Sequence, residues 1–572
     1  MRKKFVAIVL LLLLAVPSYA VLPPDPPTGG TAGVRPKTCT NVVLTAADLP
    51  AACHTSGSYA AAEACADAMA VKFPDIFPGV ILGYQQDGKA ATVTAHGRGL
   101  GPTSVVSLAS VSKPLPNTAF VKLVQDHYAS PACTPMTANC IFPQKFETKL
   151  ADALKVIDRL RGTTTYDDWF NRIDYADAAK QRTWKHAITL EQIMQMTAGF
   201  SPIAFTGYRF CPNGVCPTDT SAYDWTCDPN DVNHPDYQSC RVAFLYNQYL
   251  ATRGPALPNG CKPRPVSGPR TFNFENYYNG DVDASYRLMR EFERRYSFEP
   301  GLLGECVLVE GVNGGSWIDG RAVRESDIGK FYLGLPLMYE PGTDSKYAQP
   351  GFYIMSYLIE SVSGQRFDTY LKNQILTPLG MTDTSFYIAP GSSQHNRLAD
   401  IKRVPDFPTR VLPDIAAPVD LANIHGTDKN WDELRRGWQN RWPEGGGNTT
   451  AGDLLRFLTF ARTGKTPAGQ VLLNADSVLR ITTEDDVHSS RTYAFATAGE
   501  GVLTGNGYFG TQFKRDLKRC NSSTVLTQTI TESPEGLAKY RVQLCDYQFG
   551  DMKFLRDWLQ GMLDAIPSAC AP

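Results

Sequence analysis

The sequence predicts a mixed α/β (α+β) fold: an antiparallel sheet flanked by N- and C-terminal helices, joined to a mainly helical region. Three observations lead there. A helical stretch from Ala60 to Phe73 precedes two short strand-like runs joined at Asp87-Gly88, which read as a hairpin. Near the other end, STVLTQTIT and KYRVQL read as strands and lead into the amphipathic helix FLRDWLQGMLDAI. Between these ends, the long ordered segments follow helical periodicity rather than alternation.

The chain begins with Arg2, Lys3 and Lys4, continues as an apolar run from Phe5 to Val16, and exits through Ser18 and Ala20. That is the pattern of a secretory signal peptide over residues 1–20, since the run is shorter than the roughly 20 residues a membrane span needs. Residues 21–59 follow as a leader, whose first part, VLPPDPPTGGTAGVRPK, is too rich in Pro and Gly to pack a core. In the stretch from Ala60 to Phe73, Ala64, Cys65, Met69 and Phe73 recur at helical spacing, and Pro74 ends the element. VILGYQQDG and KAATVTAHG form the hairpin. After the glycine-rich turn from Gly97 to Gly101, SVVSLASVSKPLPNTAFVKLVQD reads as a strand or loop running into a helix.

Residues 201–317 change character. Cys211, Cys216, Cys227, Cys240, Cys261 and Cys306 crowd among Pro, Asn and Tyr with few periodic runs. This reads as a disulfide-stapled insertion, its cysteines pairing largely among themselves, within a domain running from 60 to 572. Beyond it, FYIMSYLIESVSGQRFDTYLKNQIL is helical with a break at Gly364, and GDLLRFLTFARTG is a helix stopped by Gly464.

Composition narrows the function. With 56 basic and 57 acidic side chains in 572 residues, the chain has no electrostatic footprint for nucleic acid or an anionic membrane surface. An export signal and an even count of 14 cysteines place the mature chain outside the cytoplasm, secreted or periplasmic, with disulfides favoured over zinc sites. Sequons at Asn448 and Asn521 are compatible with that location.

Hydrolytic motifs can be tried against one another. No G-x-S-x-G elbow, H-E-x-x-H or C-x-x-C occurs, and the eight histidines, His96, His186 and His488 among them, lack ligand spacing. What remains is Ser110-Val111-Ser112-Lys113, an S-x-x-K. A Ser and a Lys three apart at a helix start share one face, so the amine can reach the hydroxyl. Burial and the helix N-terminus both disfavour an ammonium there, leaving an amine able to take the serine proton.

The context of the tetrapeptide is more specific. SLASVSKPL resembles the nucleophile segment of the serine β-lactamase-like family, which joins class C β-lactamases, D-alanyl-D-alanine peptidases and related esterases. ITLEQIMQMTAGF is similar to that family's Thr-Leu … Thr-Ser-Gly-Leu helix end, and EPGTDSKYAQPGFYIMSYLIESVSG to its Pro-Gly … Tyr-x-Asn … Gly segment. TPLGMTDTSF resembles its Pro-Leu-Gly-Met-x-x-Thr run, and GGGNTTAGDLLRFL its Gly-Gly … Asp-Leu-x-Arg-Phe helix. Five segments in the same order extend the resemblance over roughly 77–563, apart from the insertion.

The resemblance implies a β-lactamase/transpeptidase-like fold, with Ser110 as nucleophile, Lys113 as its hydrogen-bonded partner and Tyr347 as a second proton shuttle. It places Gln349 where the family has Asn, a longer stem carrying the same amide. Its third motif, Lys or His before Thr-Gly or x-Gly, falls on Leu503-Thr504-Gly505, where Leu503 supplies no charge for a substrate carboxylate. The backbone N–H groups of Ser110 and Asn506 would then form the oxyanion hole. The expected function is a serine hydrolase of the β-lactamase-related kind, acting on a small-molecule or peptide ester or amide, with ester favoured. No organic cofactor or metal is implied. The alternatives are a catalytically silent family member that binds a peptide, glycan or protein, and a β-lactamase or D-alanyl-D-alanine carboxypeptidase.

Overall fold

The computed structural model describes residues 44–128, 140–200, 317–399, 443–527 and 547–570, less some single positions and short runs within them. The signal peptide, most of the leader, the six insertion cysteines and the strand read at KYRVQL lie outside the described residues.

Helix α1 (Tyr59–Lys72) opens where the Ala61 N–H donates to the Ser58 hydroxyl, a cap that satisfies one free donor of the first turn. The hairpin follows as β1 (Gly79–Gln86) and β2 (Thr92–Gly97). Strand β3 (Val106–Ser107) leads through a 3₁₀ turn, Ala109–Ser112, into helix α2 (Pro114–Asp126). Strands β4 (Trp317–Ile318) and β5 (Arg321–Ala322) pair with each other, and β6 (Asn448–Thr449) pairs antiparallel with β3. Strands β7 (Ala496–Thr497), β8 (Val502–Asn506), β9 (Thr511–Asp516) and β10 (Asn521–Leu526) complete the main sheet, in the order β2-β1-β10-β9-β8-β7. Every pairing in it is antiparallel.

Early and late strands thus meet side by side, with Ile81 opposite Leu526 and Gln86 opposite Asn521. On one face Val80, Leu82 and Val525 are buried with Cys65 and Met69 of α1 and with Leu555, Leu559 and Leu563 of the C-terminal helix Tyr547–Asp564. On the other, Ile81, Phe513 and Leu526 join a larger core. There they meet Leu115 and Phe120 of α2, Phe352 and Ile359 of the helix Pro350–Ser363, and Leu454 and Phe457 of the helix Ala451–Thr463. Period-2 alternation along each strand divides its side chains between these two cores. The architecture matches the predicted fold class, with terminal helices on one face and the helical region on the other.

Strand β9 was not legible. Thr-Gln-Phe-Lys-Arg-Asp has no apolar run to mark it, yet it is an internal strand whose Arg515 is fully buried. Asp87, at the hairpin turn, makes this tolerable: its two carboxylate oxygens accept from Arg515 Nη1 at 2.7 Å and Nη2 at 2.6 Å. The sequons also change meaning, because Asn448 and Asn521 are both buried in strands and neither is open to a glycan on the folded chain. Residues 44–58, the described end of the leader, pack rather than trail: Cys53 is buried and disulfide-bonded to Cys65. Cys520 and Cys570 form another disulfide, and Cys140 is disulfide-bonded as well. No helix among the described residues is long and apolar enough to cross a membrane.

Candidate active site

The Ser-x-x-Lys segment occupies one turn. The Lys113 N–H donates to the Ser110 carbonyl, and Pro114 at the first position of α2, where a missing N–H costs nothing, continues the helix. Both side chains therefore share one face, and Lys113 Nζ donates to Ser110 Oγ at 3.0 Å. The turn carries strain just before Ser110: Ala109 adopts φ +49°, a left-handed conformation that costs a non-glycine residue about 1–2 kcal/mol.

Tyr347 arrives from the other side, three residues before Pro350 opens its helix. Its segment is fastened to the Thr197–Gly199 turn, where the Gly342 N–H donates to the Thr197 carbonyl and Tyr339 Oη donates to the Met196 carbonyl. Tyr347 is 37% exposed, and its hydroxyl donates to Ser110 Oγ at 2.6 Å. Lys113 Nζ lies 4.7 Å from the centre of the Tyr347 ring and 5.3 Å from that of Phe352. The structure thus brings Ser110, Lys113 and Tyr347 together across 237 residues of sequence.

Strand β8 approaches the turn with its end. Gly507 N–H is used by the Thr511 carbonyl, so by ladder alternation the N–H of Asn506 points away from β9, toward the side where β7 has already ended. Gly507 itself has no room for a side chain, since a Cβ would strike the Leu108 carbonyl and Thr511 Oγ1. Leu503 shares the face of Gly505 and Gly507 but is fully buried in the core. The register places Thr504 opposite Lys514, which pairs with Asp564 of the C-terminal helix. Thr504 therefore lies on the terminal-helix face, and its hydroxyl donates to the Phe513 carbonyl. Gln349 is fully buried, and neither amide atom has a hydrogen-bond partner in the described structure.

Two charged residues near Ser110, Lys113 and Tyr347 were not singled out from sequence. Pairing of β3 with β6 draws the segment before β6 along the Ser110 turn: the Leu108 N–H donates to the Gly447 carbonyl, and the Gly447 N–H to Ser112 Oγ at 2.9 Å. Glu444 thereby comes to rest on Lys113, whose Nζ donates to the Glu444 carbonyl at 2.8 Å. Burial pushes the Glu444 carboxyl up to about 7, with the Lys113 charge acting in the opposite direction. The second is Arg491, bridged to Ala496 beside β7. Burial pulls its guanidinium below the usual range, opposed by attraction to Tyr347, and its Nε has no hydrogen-bond partner in the described structure. The only signal for Glu444 was an acidic residue directly before Gly445-Gly446-Gly447, and for Arg491 there was none.

A family model and several known proteins resemble parts of the chain. The family model described as Beta-lactamase matches residues 311–544, a stretch that holds Tyr347 but not Ser110. A protein of Escherichia coli (strain K12) named "Putative D-alanyl-D-alanine carboxypeptidase" is 39% identical over 51 residues, 9% of this chain and 12% of its own length. Protein flp of Staphylococcus aureus (strain N315) is 29% identical over 75 residues, 13% of this chain and 15% of its own length. The chain thus spans well under a fifth of these curated relatives. Among solved structures, EstCE1, titled a hydrolase with promiscuous acyltransferase activity, aligns over 86% of this chain and 98% of its own at 14% identity and TM-score 0.44. The resemblance to the serine β-lactamase-like family, and its β-lactamase/transpeptidase-like fold, stand on the family model and the sheet-and-helix architecture.

Proposed function

We propose that the chain is an extracytoplasmic serine hydrolase that forms an acyl-enzyme on Ser110 and hydrolyses an ester, or less readily an amide, of a small molecule or peptide. The domain would run from 60 to 572 with the insertion at 201–317. The observation that carries this reading is the convergence of Lys113 Nζ and Tyr347 Oη on one serine oxygen, at 3.0 and 2.6 Å. In the acylation step Ser110 Oγ bonds to the acyl carbon and its proton passes to the Lys113–Tyr347 pair. The carbonyl electrons collect on an oxygen facing the Ser110 and Asn506 N–H groups. As the carbonyl re-forms, the bond to the leaving alcohol breaks, and the departing oxygen takes the proton back through Tyr347. Water then repeats the sequence on the acyl-enzyme.

Ester is favoured because the β8 face toward the nucleophile turn presents Leu503, Gly505 and Gly507, none of them a cation. Arg491 favours a second reading, in which a carboxylate-bearing substrate such as a β-lactam or D-alanyl peptide is recognised from the β7 side. Turnover of a neutral p-nitrophenyl ester beside a penicillin separates the two. The first reading expects a burst of one equivalent of p-nitrophenol and at least tenfold poorer turnover of the penicillin. Efficient penicillin turnover that is lost in Arg491→Gln would establish the second. A folded protein that turns over neither would leave the silent binder.

A further inference from the structure

Glu444 makes two distinct contacts with the site. Its backbone carbonyl accepts from Lys113 Nζ at 2.8 Å, on the same nitrogen that reaches Ser110. Its carboxyl is 2% exposed; Oε1 accepts from the Tyr353 hydroxyl at 3.1 Å, and Oε2 has no hydrogen-bond partner in the described structure. Leaving a carboxylate buried with one oxygen unpaired is unfavourable, so stability alone gives no reason for an acid here. Lys113 is the charged group acting on it, Tyr353 of the helix Pro350–Ser363 is its titratable hydrogen-bond partner, and Tyr347 reaches it through Lys113.

We propose that Glu444 is a positioning residue for the serine chemistry: its carbonyl holds Lys113 on Ser110, and its buried carboxylate sets the pH at which the Lys113–Tyr347 pair can accept the serine proton. This rests on the serine-hydrolase reading. Charge coupling is reciprocal: the Lys113 cation and the Glu444 carboxylate stabilise each other. A negative charge at this position opposes loss of a proton from amine and phenol alike, so the sign is the same whichever is the base.

The experiment is the pH profile of acylation by a p-nitrophenyl ester in wild type, Glu444→Gln, Glu444→Asp and Tyr353→Phe. Glu444→Gln removes the charge and keeps the carbonyl, so the rising limb moves to lower pH by about one unit, roughly tenfold faster acylation on its acid side. Glu444→Asp keeps the wild-type limb, and Tyr353→Phe, which withdraws the donor stabilising the anion, shifts it less and in the same direction as Gln. Thermal unfolding supplies a second readout. The carboxyl binds its proton more tightly folded, at about 7, than at its ordinary 4.5. Its contribution to stability is therefore full below pH 4.5 and lost as pH rises through about 7, a decline absent in Glu444→Gln. Limbs of wild type and Glu444→Gln that coincide, whatever their heights, overturn the proposal, as does an unchanged pH dependence of unfolding. Failure of the underlying hydrolase reading looks different, because wild type would then not acylate at any pH.

Discussion

Replacing Lys113 with alanine, or Tyr347 with phenylalanine, lowers hydrolysis of an activated ester by about 100-fold or more, the loss expected for groups that move a proton in the transition state. The two variants remove different things. Tyr347→Phe deletes only a hydroxyl that donates to Ser110 Oγ at 2.6 Å on a residue 37% exposed, so unfolding should barely change. Lys113→Ala empties a nearly buried position and leaves the Glu444 carbonyl without its 2.8 Å donor, a stability cost of about 1–3 kcal/mol that a folded domain tolerates. Steady-state kinetics with circular dichroism on each variant checks both halves. Full activity in either, with the fold intact, would assign the proton transfers to other groups.

Asp87→Ala has the largest expected effect on stability. Arg515 is fully buried in an internal strand, and both its Nη atoms end on Asp87, which also accepts from Arg462. Removing the carboxylate leaves the Arg515 charge buried with only the Ser522 hydroxyl, at 3.0 Å, among its side-chain acceptors in the described structure. Breaking such a pair from one side costs about 3–5 kcal/mol, a large part of the stability of an ordinary domain. Urea unfolding should show a midpoint shift of that size without a change in slope. Loss below about 1 kcal/mol would mean that Arg515 finds water or another partner.

These two sites mark the line between what was legible and what was not. The hairpin, the terminal helices and the nucleophile turn follow from spacing within a few residues, and Ser110 and Lys113 meet because one helical turn brings them together. Tyr347 was legible only through the motif resemblance. Arg515 and Glu444 were not, because each takes its meaning from a partner far along the chain: Asp87 is 428 residues from Arg515, and Lys113 is 331 from Glu444. A charged residue with a distant counter-charge looks like solvated loop until the sheet closes. Leu503-Thr504-Gly505 shows a related limit. The motif resemblance located the strand beside the site, but strand pairing decided which side chains face the Ser110 turn, and it turned Thr504 toward the terminal helices.

The central claim is that Ser110 is a nucleophile, and the most direct measurement is labelling of the purified chain with an alkyl phosphonate, read as intact mass and then by peptide mapping. The prediction is addition of one phosphonyl group per chain, located on Ser110, with no addition to a folded Ser110→Ala variant. A folded wild type that takes up no label, or a label that persists in Ser110→Ala, would contradict it.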